Sequence, residues 1–356
     1  RPASPDGFAY LPDGKTYAVL APDHRSVQTY DIRTGESAGP LLELSRTREN
    51  TLETIEGFVV SPGATQVMVW TDSEPVYRRS TRARYYVYEV HSRLLRPLST
   101  QHEMQQSPVF SPDNRMVAFV ADNNIYIKKL DFQTEVPVTT DGARNAVING
   151  VPDWVYEEEF QTTCSMAWSP DATTLCYLRY DESEVPTYDM TTYEGSCDPQ
   201  SRYALYPGTW SYKYPVAGEK NSRVSLHSYD VDTRKVKDIA LPDARIEYIP
   251  RIQYPPQGDN IIVATLNRDQ NHYEIYSVNP KSTVCKSVFV EDSKAWIAPS
   301  SYEDLHLLSD GFVVNSWAGG WHRLTQYSYA GARMRELTPG DHDVTAYYGR
   351  DAAGNH

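Results

Sequence analysis

A turn phrase recurs along this chain and limits what it can fold into. An apolar strand runs into a Pro-Asp or Pro-Gly corner, a second apolar strand follows, and a Tyr-rich strand with a polar hairpin closes the unit. The first copy reads Leu11-Pro12-Asp13-Gly14, then YAVL at 17–20, then Tyr30-Asp31-Ile32. The second has Ser61-Pro62-Gly63, VMVW at 67–70 and YYVYEV at 85–90; the third has Ser111-Pro112-Asp113, VAFV at 117–120 and IYI at 125–127. The fourth has Ser169-Pro170-Asp171, LCYL at 175–178 and LHSYDV at 226–231. The fifth and sixth are Pro256-Gln257-Gly258 with IIVATL at 261–266, and Ser309-Asp310-Gly311 with FVVNSW at 312–317. Proline presets φ at the first corner of such a turn, and Asp or Gly supplies the next.

Short antiparallel strands recurring every ~40–50 residues predict an all-β chain, a β-propeller of four-stranded antiparallel blades. One blade cannot bury its faces alone; stacking blades around an axis buries them. A β-sandwich would use similar strands without repeating one corner. The 27 Tyr against 8 Phe suit half-buried strand positions, where the ring packs and the hydroxyl reaches water. The pattern gives about six blades, and Thr345-Ala346-Tyr347-Tyr348 reads as the start of a seventh, halted at Asp351-Ala352-Ala353-Gly354. A sheet stopped in mid-hairpin leaves unpaired backbone, so residues 1–356 are expected to be one propeller domain, truncated from a longer chain.

Two segments interrupt the repeat. VPDWVYEEEFQ at 151–161 has a helix start, with Asp153 as cap and acidic residues in the first turns. Successive helical residues project about 100° apart, so Glu157, Glu158 and Glu159 cannot share a face. At least one of the three, beside Trp154 and Tyr156, should be turned from water, where a carboxylate wants a cation: an arginine, a metal or a ligand ammonium. A solvated acidic turn is the alternative. The second interruption, 181–222, is a long arm inside the fourth repeat; insertions of this length are usually functional, disordered or interactive.

Several function classes fall away on charge and composition. A net charge of -13 repels nucleic-acid phosphates and anionic membrane surfaces. No apolar run approaches the ~18–20 residues needed to span a bilayer, and Arg1-Pro2-Ala3-Ser4 lacks the layout of a signal peptide. The cysteines Cys164, Cys176, Cys197 and Cys285 form no CxxC pair, so no structural zinc site is expected. Cys164 and Cys176 flank a hairpin turn and are either a cross-strand disulfide or two buried thiols. Gly35-Glu36-Ser37-Ala38-Gly39 matches Gly-x-Ser-x-Gly by coincidence, because it lies in a hairpin rather than a strand-to-helix elbow. Asp341-His342-Asp343 reads as loop chemistry, not a metal site, and no phosphate cradle or other cofactor motif is present.

VPDWVYEEEF followed by AWSPDATTLCYLRYDESEVPTYDM resembles the dipeptidyl peptidase IV branch of the prolyl oligopeptidase family. SYKYPVAGEKNSRVSLHSYDV, LNRDQN and Gly320-Trp321-His322-Arg323-Leu324 resemble its bacterial members. The resemblance implies an eight-bladed propeller followed by an α/β-hydrolase domain, absent from this chain, that holds a Ser-His-Asp triad. It implies that Glu158 and Glu159 clamp the free ammonium of a peptide substrate, and that an arginine holds a substrate carbonyl: Arg78, with Arg79 as the alternative. The implied function is substrate gating and N-terminus recognition in a serine dipeptidyl peptidase releasing Xaa-Pro or Xaa-Ala dipeptides; this chain alone would be inactive. The 181–222 arm, with Tyr203, Tyr206, Trp210, Tyr212 and Tyr214, would form a homodimer interface or pack on its own propeller. Bacterial relatives are often periplasmic, so an extracytoplasmic location is implied. The other reading of the residues is a non-catalytic propeller that binds peptides or proteins.

Overall fold

A computed structural model describes residues 7–193, 206–318, 320–351 and 353–356. Its architecture is a β-propeller built of antiparallel units in the order the repeat predicts. Unit one pairs Phe8–Tyr10, Thr16–Leu20, Ser26–Asp31 and Ser37–Glu43 in sequence order. Unit five does the same with Ile246–Gln253, Ile261–Asn267, His272–Val278 and Cys285–Asp292, and unit six with four strands between His306 and Glu336. Units two and three join into one eight-stranded sheet because Arg82 and Ala83 of Thr81–Glu89 pair with Gln106 and Gln105 of the next unit.

The Ser-Pro-Asp corner works through the serine. Ser111 Oγ accepts from Met116 N at 2.9 Å and donates to Asp113 at 2.5 Å. Ser169 repeats this with Thr174 N at 2.9 Å and Asp171 at 2.6 Å. The residue after the corner is left-handed at Asn114 and Ala172, with φ of 61° and 58°. The side chain thus closes the turn that the strands alone would leave open. The strands stack through shared cores: Val27, Leu42, Val67 and Tyr88 join units one and two, and Met68, Phe110 and Phe119 join two and three. A larger cluster runs continuously from Met116 to Val314.

The fourth unit is the irregular one. Its long strand Thr174–Asp181 pairs along one edge with two short strands, Val147–Asn149 and Met166–Trp168. Between them the chain leaves the sheet at Gly150, which has φ of 76° and lies so close to Ile125 that a Cβ would come within 2.8 Å. It returns where Ser165 N meets Gly150 O at 2.8 Å. The excursion carries helix α1, Trp154–Glu159. The arm leaves the same unit further on as a separate hairpin, Thr187–Thr192 against Gly208–Lys213. A second short helix, α2, spans Ser300–Glu303 and packs against unit six.

One expectation needs correction, and one pair of readings is decided. Residues 344–350 contain no strand, so the predicted opening of a seventh unit does not pair. Val344 N instead bonds His322 O at 3.0 Å, and Arg350 reaches back to Asp310 at 2.9 Å, so this stretch lies along unit six. Cys164 and Cys176 are both free thiols. Cys176 faces unit five, with Tyr254 Oη 3.3 Å from its sulfur, while Ala167 stands opposite it in the ladder. Burial pushes the Cys164 thiol up to about 11 and that of Cys176 to about 12. Cys197 and Tyr203 lie outside the described residues.

Candidate functional site

Helix α1 is only six residues long, too short to persist by propensity, and is held by its surroundings. Asp153 caps it as expected, accepting from Tyr156 N at 2.9 Å, while its other oxygen accepts from Ser222 Oγ at 2.6 Å. Burial raises the Asp153 pKa, opposed by those hydrogen bonds. Tyr156 and Phe160, one turn apart, point inward. The Tyr156 ring meets Tyr180 and Phe160 at 4.9 and 5.1 Å, and its hydroxyl accepts from Ile249 N at 2.8 Å. Gln161, at φ of 52°, turns the chain out of the helix.

The three glutamates diverge. Glu157 is fully buried, Glu158 is half-buried and Glu159 is exposed. All three face different chemistry, and a hairpin tip from unit two receives the first two. The strands Gln66–Pro75 and Thr81–Glu89 end in Val76-Tyr77-Arg78-Arg79-Ser80, closed by Val76 N to Ser80 O at 2.9 Å. Glu157 Oε1 accepts from Arg79 N at 2.5 Å and from Ser80 N at 2.9 Å, and Oε2 accepts from Ser80 Oγ at 2.5 Å. Arg78 Nε lies 3.0 and 2.9 Å from the two Glu158 oxygens. Tyr77 turns inward, where burial and then the charges of Glu182, Asp153 and Glu157 raise its phenol.

Arg78, not Arg79, therefore meets Glu158; Arg79 reaches the helix through its backbone N–H. The buried member of the acidic run is satisfied by two amides and a hydroxyl rather than by the cation that its composition suggested. Glu157 is the residue that sequence reasoning missed. Its signal is the spacing from Trp154, with Tyr156 and Phe160 on the neighbouring inward face. Glu159 lies on the side of α2: after burial and Glu303, its charge contributes to the raised phenol of the buried Tyr302. Among the described residues the Glu159 carboxylate has no hydrogen-bond or ion-pair partner.

The Arg78–Glu158 pair is cheap to rearrange. Arg78 has 72% of its side chain exposed against 14% for Glu158, so the guanidinium can leave while the carboxylate stays in place. An incoming cation can take over the carboxylate while the guanidinium, fixed in charge and rich in donors, turns to an oxygen acceptor. Behind the hairpin tip lies a cavity of about 540 Å³, walled by Tyr77, Arg82, Asn145, Glu182, Trp210 and Tyr212. It joins the tip to the base of the arm. Burial and the Asp153 charge raise Glu182 to about 7, against the favourable charge of Lys213.

Asp243, His272 and Glu274 form the one group of metal-ligand type among the described residues, with ligand atoms within 4.8 Å of one another. Arg245 already occupies it, 2.7 Å from Asp243 and 3.2 Å from His272 Nε2. Bonds from Arg245 hold Asp243 down at about 2. A metal would face that guanidinium, so the donor set suits a charge network and not a metal. The Asp341–Asp343 stretch serves its loop: Asp343 accepts from His322 N at 2.8 Å and Asp341 lies 3.6 Å from Arg323. Ser37 of the Gly-x-Ser-x-Gly string begins a strand, so no nucleophile elbow forms there.

Comparison with known proteins places the chain in a family. Residues 61–356 match the family model described as "Dipeptidyl peptidase IV (DPP IV) N-terminal region". A probable dipeptidyl-aminopeptidase B of Aspergillus niger is 32% identical over 255 residues, 68% of this chain and 28% of that protein. The crystal structure of Porphyromonas gingivalis dipeptidyl peptidase 4 superposes with a TM-score of 0.92 at 43% identity, covering 98% of this chain and 49% of that one. A structure from Bacteroides ovatus, at 17% identity and a TM-score of 0.65, speaks to the fold alone. The chain thus spans between about a quarter and a half of these relatives. It belongs to the dipeptidyl peptidase IV N-terminal region family, the β-propeller part of a peptidase lineage.

Proposed function

We propose that this propeller recognises the free N-terminus of peptide substrates and gates them to a serine-type α/β-hydrolase domain that removes Xaa-Pro or Xaa-Ala dipeptides. The observation that carries the reading is the convergence of Arg78, from unit two, on Glu158, from the helix of unit four. A peptide α-amino group has a pKa near 8 and is largely protonated at neutral pH. Two adjacent carboxylates can each accept a charge-assisted hydrogen bond from it. Arg78, released from Glu158, would then hold a substrate carbonyl. Such a clamp measures length: with the N-terminus held, the bond after the second residue is the one presented to the nucleophile. The exposed rings of the arm, Tyr188, Tyr206 and Trp210, fit a homodimer interface, and the lineage fits an extracytoplasmic, periplasmic site of action.

The test is kinetic, in the full-length protein. Glu158→Ala and Glu159→Ala should each raise KM and lower kcat/KM for a Gly-Pro anilide by roughly tenfold or more. Parental kinetics in both variants would remove the clamp.

A further inference from the structure

We infer that Glu157, the first glutamate of the run, is a positioning residue: its buried carboxylate holds the hairpin tip so that Arg78 stands against Glu158. This rests on the clamp reading above and extends it to a residue that would not touch substrate.

The hairpin ladder alone does not place the tip. Its register shifts between Thr71 and Glu74, and the last ladder pair is Pro75 with Thr81, where proline has no N–H to give. The Arg78–Glu158 pair does not place it either, since Arg78 is mostly exposed. Tyr77 turns inward from the tip, and the hydrogen bonds that tie the tip to helix α1 beyond the Arg78 pair are those to Glu157. Both its oxygens are used, by two consecutive amides and the Ser80 hydroxyl, and both Glu157 and Ser80 are buried, at 0% and 6% exposure. Buried donors left without an acceptor are costly, so the tip stays where this carboxyl group can receive them. The contacts are in step: residue 157 takes 79 and 80, and residue 158 takes 78. Two elements nearly eighty residues apart are thus fastened side by side, and the same bond that satisfies a buried charge sets the arginine beside the clamp.

The chemistry required of Glu157 is that of an acceptor, not of a charge. Glutamine in its place keeps one oxygen for both amides, and its NH2 can donate to Ser80 Oγ. Alanine leaves the buried Ser80 N–H and the part-buried Arg79 N–H without their acceptor, and the tip is free to swing.

The experiment uses the full-length protein with Glu157→Ala, Glu157→Gln and Ser80→Ala, and two readouts. One is KM and kcat for a Gly-Pro anilide. The other is limited trypsin digestion, with cuts after Arg78 and Arg79 quantified by mass spectrometry alongside the melting temperature. Glu157→Ala should raise KM by roughly tenfold, more than it lowers kcat, and open the Arg78–Ser80 segment to trypsin by a similar factor without a matching rise at other sites. Glu157→Gln should stay within about threefold of the parent in both readouts, and Ser80→Ala should fall between. Parental KM and parental resistance in Glu157→Ala, while Glu158→Ala and Glu159→Ala raise KM, would overturn the inference and leave the clamp standing. Glutamine as damaging as alanine would also overturn it. Parental KM in all three glutamate variants would sink the clamp reading instead, and the trypsin rates would still decide whether Glu157 holds the tip. Should Glu157→Ala not fold, faster nicking of Ser80→Ala than of Glu157→Gln supports the inference and equal resistance contradicts it.

Discussion

The fourth unit carries two insertions, and they are stabilised in opposite ways. The α1 excursion is short and turned inward, with each buried polar group bonded to a different part of the molecule: Asp153 to Ser222, Tyr156 to Ile249, Glu157 to Arg79 and Ser80. The arm is long and built on its own rings, with Trp210 stacked on Tyr212 at 4.6 Å and Tyr188 against Tyr214 at 5.6 Å. They meet where Trp154 packs on Tyr214 at 4.2 Å. Buried polar bonds fix a geometry, because a misplaced donor costs more than it gains when right. Exposed rings keep a surface available to a partner. The first design suits a site that must hold ångström-scale positions, the second a contact surface.

That contrast can be broken by mutation. Tyr156→Ala should have the largest effect, destabilising by about 3–5 kcal/mol through the cavity and the orphaned Ile249 N–H, measured by denaturant titration. A loss under about 1 kcal/mol would show that α1 is not held as described.

Glu182 comes next, because it lies between the two insertions. Its pKa rises from 4.5 to about 7 on folding, so the folded chain binds more protons across that window. Its contribution is fully present below about 4.5 and is lost as pH rises through about 7. Glu182→Gln should match the parent below that window and exceed it above pH 7 by about 1–3 kcal/mol. Parallel stability curves from pH 4 to 8 would contradict the burial of Glu182 beside Asp153.

The smallest effect belongs to the arm. Trp210→Ser should leave the melting free energy within about 0.5 kcal/mol of the parent while weakening self-association of the full-length protein, read by analytical ultracentrifugation. A large stability loss with association intact would assign the arm to its own propeller.

The repeat was legible because its corners are local chemistry: proline, aspartate and the serine hydroxyl act within five residues, as at Ser111 and Ser169. The cap at Asp153 was legible for the same reason, and the resemblance named Glu158, Glu159 and Arg78. The role of Glu157 was not legible, since its partners lie in unit two and no spacing in the sequence links residue 157 to residue 80. The expected seventh unit failed because TAYY has strand composition, but the stretch around it bonds back to unit six through Val344 and Arg350. The thiols Cys164 and Cys176 flank one turn, yet Cys176 faces Tyr254 of another unit. Local signals fix local structure; contacts between units need the fold.

The most direct measurement compares a Gly-Pro anilide with its N-acetylated form as substrates of the full-length protein. Acetylation removes the ammonium and little else. Cleavage of the free form and a loss of roughly a hundredfold or more in kcat/KM for the acetylated one is the expected result. Equal turnover of the two would contradict a clamp built from Glu158, Glu159 and Arg78.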